Sequence, residues 1–180
     1  MLDGYVDIVV RDSMETAPST LLGTLLGALH LKLVGEGGSS TGISFPNAGP
    51  ALGDRLRLHD EPEALPRLVE GSWLVRYGDY FRIGAVREVP GDHGWRTVRR
   101  RQPKLSAAKA RRMVARGSLD AAEAERLLSG TEPLGLPFVQ LSSGSTGQRF
   151  KLFLEQLPCE PPRSRPSFNA YGLGGAVPWF

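Results

Sequence analysis

A single cysteine, Cys159, stands in a chain of 180 residues. One thiol can neither staple a small scaffold nor build a cysteine-rich zinc module, so both classes are excluded. Long apolar runs are missing: none approaches the roughly 18 residues of a membrane span, and no membrane partner is expected. The opening Met1-Leu2-Asp3-Gly4-Tyr5 has no basic stretch followed by an apolar one, so it does not read as a secretory leader. A reducing, cytoplasmic setting is the expectation. Histidine is scarce, and His30, His59 and His93 show no metal-ligand spacing. The acidic group Asp54, Asp60, Glu61 and Glu63 reads as solvated loops and caps rather than a two-metal nuclease cluster. No metal and no cofactor are expected. A Walker-type loop is also missing, because Gly144-Ser145-Thr146-Gly147 is followed by Gln148 and no lysine.

What is present is an ordinary globular composition, 41% hydrophobic and 23% charged, in a chain long enough to bury a core. The net charge of +3 is unevenly spread. Nine basic residues and no acid lie between Trp95 and Arg116: Arg96, Arg99, Arg100, Arg101, Lys104, Lys109, Arg111, Arg112 and Arg116. The rest of the chain is acidic on balance. A concentrated basic segment without its acidic counterface points to a polyanion partner; the alternative is a solvated basic helix.

The first ninety residues alternate short elements. Tyr5 to Arg11 has strand period, with Val6, Ile8 and Val10 on one side. Pro18-Ser19 opens a helix to about Val34, closed by Gly35, Gly37 and Gly38, with Leu21, Leu22, Leu25, Leu26, Leu29 and Leu33 as its apolar stripe. Strands are expected at Gly42 to Phe45 and Arg55 to His59. A short helix follows, capped by Asp60 with Pro62 at its first position, to about Val69; Pro66 shortens or bends it. Tyr80 to Val89 is a further strand with Gly84 as a bulge or turn. The order βαββαβ is that of a ferredoxin-like domain, so the fold class is α+β.

Pro90-Gly91-Asp92-His93-Gly94 marks a boundary, giving domains over residues 1–92 and 93–180. In the second, Ser106 caps a helix from Ala107 to Arg116, ended by Gly117. Lys109, Arg112 and Arg116 share one of its faces; Ala107, Ala110 and Val114 share another. Ser118 caps a second helix through Leu128. Pro137 to Ser142 and Gln148 to Leu157 form a hairpin around Ser143 to Gly147. That loop carries hydroxyls and free amides, which suit either a phosphate grip or a plain turn. Phe168 to Phe180 is aromatic and Gly-rich, and is expected to pack.

His30 is the best candidate proton carrier, by elimination and by its place at the edge of the leucine stripe. Gly27 and Gly23, at i−3 and i−7, leave room for another backbone or a ligand. An imidazole with a pKa of about 6.5 can move protons at neutral pH; the competing reading is a partly buried structural histidine at a helix end.

Several segments, in order, carry a resemblance: Leu26-Gly27-Ala28-Leu29-His30, Gly42-Ile43-Ser44-Phe45-Pro46, Leu52 to His59, Ser145-Thr146-Gly147-Gln148-Arg149-Phe150, Tyr171-Gly172-Leu173 and Val177-Pro178-Trp179-Phe180. Over nearly its whole length the chain resembles the CRISPR repeat-processing endoribonucleases of type I-F systems, the Csy-type crRNA endonucleases. The resemblance implies a ferredoxin-like N-terminal domain and a smaller C-terminal α+β domain with an arginine-rich helix and a hairpin. It implies cleavage of a CRISPR repeat stem-loop at the 3′ base of the stem, without metal, leaving a 2′,3′-cyclic phosphate and a 5′-hydroxyl.

Residue by residue, His30 matches the catalytic histidine, Ser143 the serine that holds the attacking 2′-hydroxyl, and Tyr171 the tyrosine that orients the histidine. Ser145 matches an RNA-contacting loop serine and Phe150 the aromatic beneath the terminal base pair. Arg100 and Gln102 fall on the pair that reads bases near the foot of the stem, through guanine O6/N7 and adenine N6/N7. Arg99 and Arg101 flank Arg100, so that register can slip by one. Arg99, Lys104, Lys109, Arg111, Arg112 and Arg116 complete the expected RNA-binding set, with the basic side of the helix on phosphate. Met113 and Gly117 stand where the family carries more arginines. The implied partners are the crRNA 3′ hairpin and the backbone subunit of the crRNA-guided surveillance complex, with target DNA met only indirectly through it. A non-catalytic RNA-hairpin-binding module and a structural subunit of a ribonucleoprotein are the alternatives.

Overall fold

The structure is a computed structural model that describes residues 2–37, 40–75, 77–102, 107–129, 135–142 and 147–180. The elements run β1 (Gly4–Val10), α1 (Pro18–Gly35), β2 (Gly42–Ser44), β3 (Arg55–Asp60), α2 (Leu65–Val69), α3 (Ser72–Val75), β4 (Phe81–Ile83), β5 (Arg87–Glu88), β6 (Gly94–Arg101), α4 (Ala107–Ala115), α5 (Ala121–Ser129), β7 (Phe138–Ser142), β8 (Arg149–Pro158) and β9 (Ala176–Trp179). The fold is α+β with antiparallel strand pairs. Two compact units emerge: Met1–Arg100 with Leu136–Phe180, and Arg101–Gly135. The expected boundary between residues 92 and 93 falls between the last strand of one sheet, β5, and the first of the other, β6.

In the first unit one sheet has the order β2-β3-β1-β4, with β5 also on β1; the other is β7-β8-β6-β9. Strand β1 alternates as its sequence requires. Val6, Ile8 and Val10 are buried, while Tyr5, Asp7 and Val9 are half-buried on the opposite face. All six leucines of the expected α1 stripe are buried in the same core as Val6, Ile8, Leu56 and Leu58. Pro18 sits at the start of α1, where its missing N–H costs nothing, and no side chain caps the helix. The C-terminal stretch packs as expected: Phe168, Leu173 and Val177 are buried.

In the first unit, three stretches depart from the sequence reading. Asp60 does not cap a helix; it ends β3, 2% exposed, and accepts hydrogen bonds from Ser40 Oγ (2.9 Å), Thr41 Oγ1 (2.7 Å) and Arg165 (2.7 Å). With its carboxylate so occupied, α2 starts later, at Leu65, and Pro66 lies in its first turn rather than bending it. The stretch from Tyr80 to Val89 is two strands, because the Gly84 amide donates to Asp7 O (2.8 Å) between β4 and β5. The first part of the basic run, for which no element was expected, is strand β6, with Thr97 and Val98 buried and Arg99, Arg100 and Arg101 exposed.

In the second unit, α4 presents Lys109, Arg111 and Arg112 to solvent and buries Ala110, 1% exposed. Gly117, at φ 69°, ends this helical stretch. Ser118 does not cap the next helix: its hydroxyl donates to Met113 O, and Asp120 Oδ1 instead accepts the Glu123 amide (2.7 Å), so α5 begins at Ala121. Among the described residues, no helix is long and apolar enough to cross a membrane.

Candidate active site

Strand β7 lies against α1 because α1 is smooth there. A Cβ on Gly23 would stand 2.5 Å from Gln140 O, and one on Gly27 would meet only the Leu141 side chain, at 3.9 Å. Of the two glycines noted beside His30, Gly23 admits a backbone, as the sequence suggested, while Gly27 faces only a side chain. The resulting cleft, of about 700 Å³, is lined by Thr24, Gly27, His30 and Leu31 of α1, Gln140 and Ser142 of β7, and Tyr77, Phe150 and Tyr171.

His30 is held from two sides. Its Nδ1 lies 2.8 Å from Ala170 O. A carbonyl can only accept, so Nδ1 carries the hydrogen, and in the neutral ring Nε2 keeps the lone pair. The Tyr171 ring stacks on the imidazole with centroids 3.9 Å apart and planes 4° from parallel. The loop that supplies both contacts is itself fixed. Asn169 Oδ1 accepts the amides of Tyr171 (2.8 Å) and Leu173 (3.2 Å), and Ile43 N donates to Gly172 O (3.0 Å). Gly172 has φ 73°, and a Cβ there would press to 2.8 Å of Ile43 Cγ2, so only glycine suits this turn.

Of the expected site residues, the structure brings His30, Tyr171 and Phe150 to one cleft. The Arg100 guanidinium stands 5.8 Å from the centre of the Phe150 ring, at the end of β6, where Arg99 is exposed beside it. Ser143, Ser145 and Lys104 lie outside the described residues. Gln102, Lys109, Arg111, Arg112 and Arg116 belong to the second unit and are exposed there.

Thr24, Tyr77, Gln140 and Ser142 line the cleft without having been singled out. A signal existed for the first: Thr24, Gly27, Ala28 and Leu31 follow the i, i+3, i+4, i+7 spacing of a helix face beside His30. Tyr77 carried none, since its approach depends on the short α3 that precedes it.

A second histidine, this one fully buried, has a different setting. His59 is 0% exposed, with Nε2 2.8 Å from Ser44 Oγ and Nδ1 without a partner. Burial, then the nearby charges of Arg57 and His93, lower its pKa from 6.5 to about 3. It is a neutral core residue, with no route to a substrate.

Comparison with known proteins gives one consistent result. The family model described as CRISPR-associated protein (Cas_Csy4) matches residues 5–180. The CRISPR-associated endonuclease Cas6/Csy4 of Pseudomonas aeruginosa (strain UCBPP-PA14) is 38% identical over 187 residues, spanning 99% of this chain and 100% of that protein. Its counterpart of the same name from Escherichia coli (strain UTI89 / UPEC) is 35% identical over 184 residues, with 99% and 100% covered.

Proposed function

This chain belongs to the CRISPR-associated Csy4 family, and from that premise we propose that it is a metal-independent endoribonuclease that processes CRISPR repeat transcripts. It cuts at the 3′ base of the repeat stem-loop and stays on the crRNA 3′ hairpin, in the cytoplasm, as a subunit of a surveillance complex. There it meets the backbone subunit directly and target DNA only through the complex. The observation that carries the reading is the posture of His30: Nδ1 tied to Ala170 O, ring stacked on Tyr171, in a cleft that also holds Phe150.

The chemistry follows from that posture. The ribose 2′-oxygen attacks the adjacent phosphorus, a 2′-O–P bond forms and the P–O5′ bond breaks. The 2′-hydroxyl proton must leave and the 5′-oxygen must gain one; a histidine with one fixed nitrogen and one free nitrogen can serve either transfer. The products are a 2′,3′-cyclic phosphate and a 5′-hydroxyl. A positioned acid–base of this kind is worth about 10²–10⁴ in rate, and orientation of the docked stem supplies much of the rest. Tyr171 acts as a positioning residue, Ser143 holds the 2′-hydroxyl and Ser145 touches the RNA. Phe150 offers its π-face to the terminal base pair, with Arg100 beside it. Arg100 and Gln102 read bases, while Arg99, Lys104, Lys109, Arg111, Arg112 and Arg116 grip phosphates.

The run β1-α1-β2-β3, followed by the short helices α2 and α3 and then β4, and the β2-β3-β1-β4 sheet support a ferredoxin-like first domain carrying His30, over residues 1–92, with recognition concentrated in 93–180.

The test is cleavage of the cognate repeat hairpin in excess EDTA, beside a copy with one 2′-deoxy substitution at the scissile nucleotide. Cutting of the first and not of the second is the expected result. Tight binding of both without cutting would leave only the hairpin-binding alternative.

A further inference from the structure

The face of the first sheet opposite α1 carries charge in an order that the strand registers dictate. Val9 of β1 is flanked by Arg55 of β3 and by Arg82 of β4, Asp7 pairs with Arg57, and Tyr5 pairs with Arg87 of β5. Between β4 and β5 the chain runs through Gly84, whose amide binds Asp7 O and which has no side chain to cover it. The result is a cleft of about 280 Å³ with Gly84 at its floor and Arg55, Arg82 and Arg87 among its walls.

The single carboxylate at this cleft is already engaged. Asp7 Oδ1 accepts from Arg57 Nε (2.7 Å), and Oδ2 accepts from Arg57 Nη2 (3.1 Å) and Arg55 Nη1 (3.3 Å). Arg57 is further committed, its guanidinium lying against both the Tyr5 and Phe180 rings, 4.5 and 4.1 Å from their centres. Arg55 Nε is buried and has no hydrogen-bond partner. Arg82 and Arg87 are exposed, and their side chains form no ion pair among the described residues. Three guanidiniums line the cleft, and Asp7, which lines it with them, is already paired with Arg57 outside it, so positive charge is left in excess around a space that fits a small oxyanion. A lone carboxylate would neutralise only one of them; a phosphate offers more oxygens and more charge, in the geometry that guanidinium forks match.

We propose that this cleft is a phosphate-binding site, formed by Arg55, Arg82 and Arg87 over Gly84 and separated from the His30 cleft by the sheet. Its ligand is a phosphate group, either the backbone phosphate of single-stranded RNA flanking the hairpin or that of a free nucleotide or phosphate ion. The flanking-RNA source rests on the RNA reading above; the phosphate chemistry does not.

The experiment is an NMR titration of the arginine Nε–H signals with inorganic phosphate at constant ionic strength, on the full chain and on the double variant Arg82→Gln/Arg87→Gln. Expected is a saturable shift in the wild type and binding weaker by about tenfold or more in the variant. Both side chains are exposed, so matching thermal unfolding would show that the variant folds. No saturable shift, or a shift the variant leaves unchanged, overturns the site. Saturation by a glutamate hexapeptide at lower concentration than by phosphate overturns the phosphate assignment in favour of an acidic protein partner. Affinity for the hairpin RNA with and without a single-stranded 5′ flank then separates the sources. A loss confined to the flanked RNA identifies its backbone, and no loss with either identifies a free phosphate group. If the chain binds phosphate here but cuts no RNA, the endoribonuclease reading fails and this site stands.

Discussion

The imidazole of His30 and the ring of Tyr171 lie parallel, 3.9 Å apart, while the carbonyl of the intervening loop's Ala170 takes the Nδ1 hydrogen. Each contact alone would leave the ring one freedom: stacking permits rotation in plane, and a hydrogen bond permits tilt. Together they fix plane and tautomer, and Nε2 becomes the nitrogen available for chemistry. Ala170 lies 140 positions from His30 in the chain, so the posture of His30 depends on the packing of the C-terminal segment.

Replacing His30 with alanine removes the proposed proton carrier and leaves the rest of the cleft in place. Cleavage of the repeat hairpin should fall by about 10²–10⁴ or more, with hairpin affinity within a few-fold of wild type. Single-turnover cleavage and filter binding, run on the same preparation, separate the two. A variant that still cuts at near wild-type rate would remove His30 from the mechanism.

Tyr171 is assigned to posture, and its hydroxyl is not. Tyr171→Phe keeps the stacked ring and should retain most of the activity. Tyr171→Ala should lower the rate by roughly tenfold, because the imidazole gains freedom. Equal loss in both variants would mean that the phenol oxygen, rather than the ring face, matters.

The helix that presents His30 was legible because its period is local. Six leucines at helical spacing specify which face of α1 is buried, and all six are buried. The strand pair Phe138–Ser142 and Arg149–Pro158 was legible for the same reason, since alternation is a short-range pattern. What escaped depends on distant partners. Asp60 looks like a helix cap in sequence, yet Ser40, Thr41 and Arg165 claim its carboxylate. The strand β6 was hidden by its charge: arginines dominate it, and only Thr97 and Val98 record the buried side. At the cleft, Gly23 and Gly27 signalled a close approach without saying that Gln140 and Leu141 would make it. The arginines around Asp7 gave no signal at all, because 55, 82 and 87 become neighbours only through the register of three strands on β1.

Gly23→Ala tests that approach. Its added methyl would press against a backbone carbonyl, Gln140 O, at 2.5 Å, so β7 or α1 must move. A loss of about 1–3 kcal/mol is expected, read as a lower urea midpoint at unchanged slope. Cleavage should fall as well, because the two elements that move apart are the walls of the cleft. Wild-type stability and rate together would show that the packing tolerates the shift.

His59 predicts an acid limit to stability. Its pKa is about 6.5 when exposed and about 3 in the folded chain, lowered first by burial and then by Arg57 and His93. Below 6.5 the unfolded chain binds a proton that the folded chain does not. The stability attached to the neutral ring is therefore complete above 6.5 and is lost as the pH falls toward 3. Each unit of pH within that window should cost about tenfold in the folding equilibrium. His59→Gln keeps a polar group for Ser44 Oγ and removes the titration. Urea midpoints of the wild type should decline between about pH 7 and pH 5, where carboxylates are still largely ionised, and those of the variant should decline less. Parallel slopes would show that His59 escapes its burial penalty, through a partner for Nδ1 that opens only in acid.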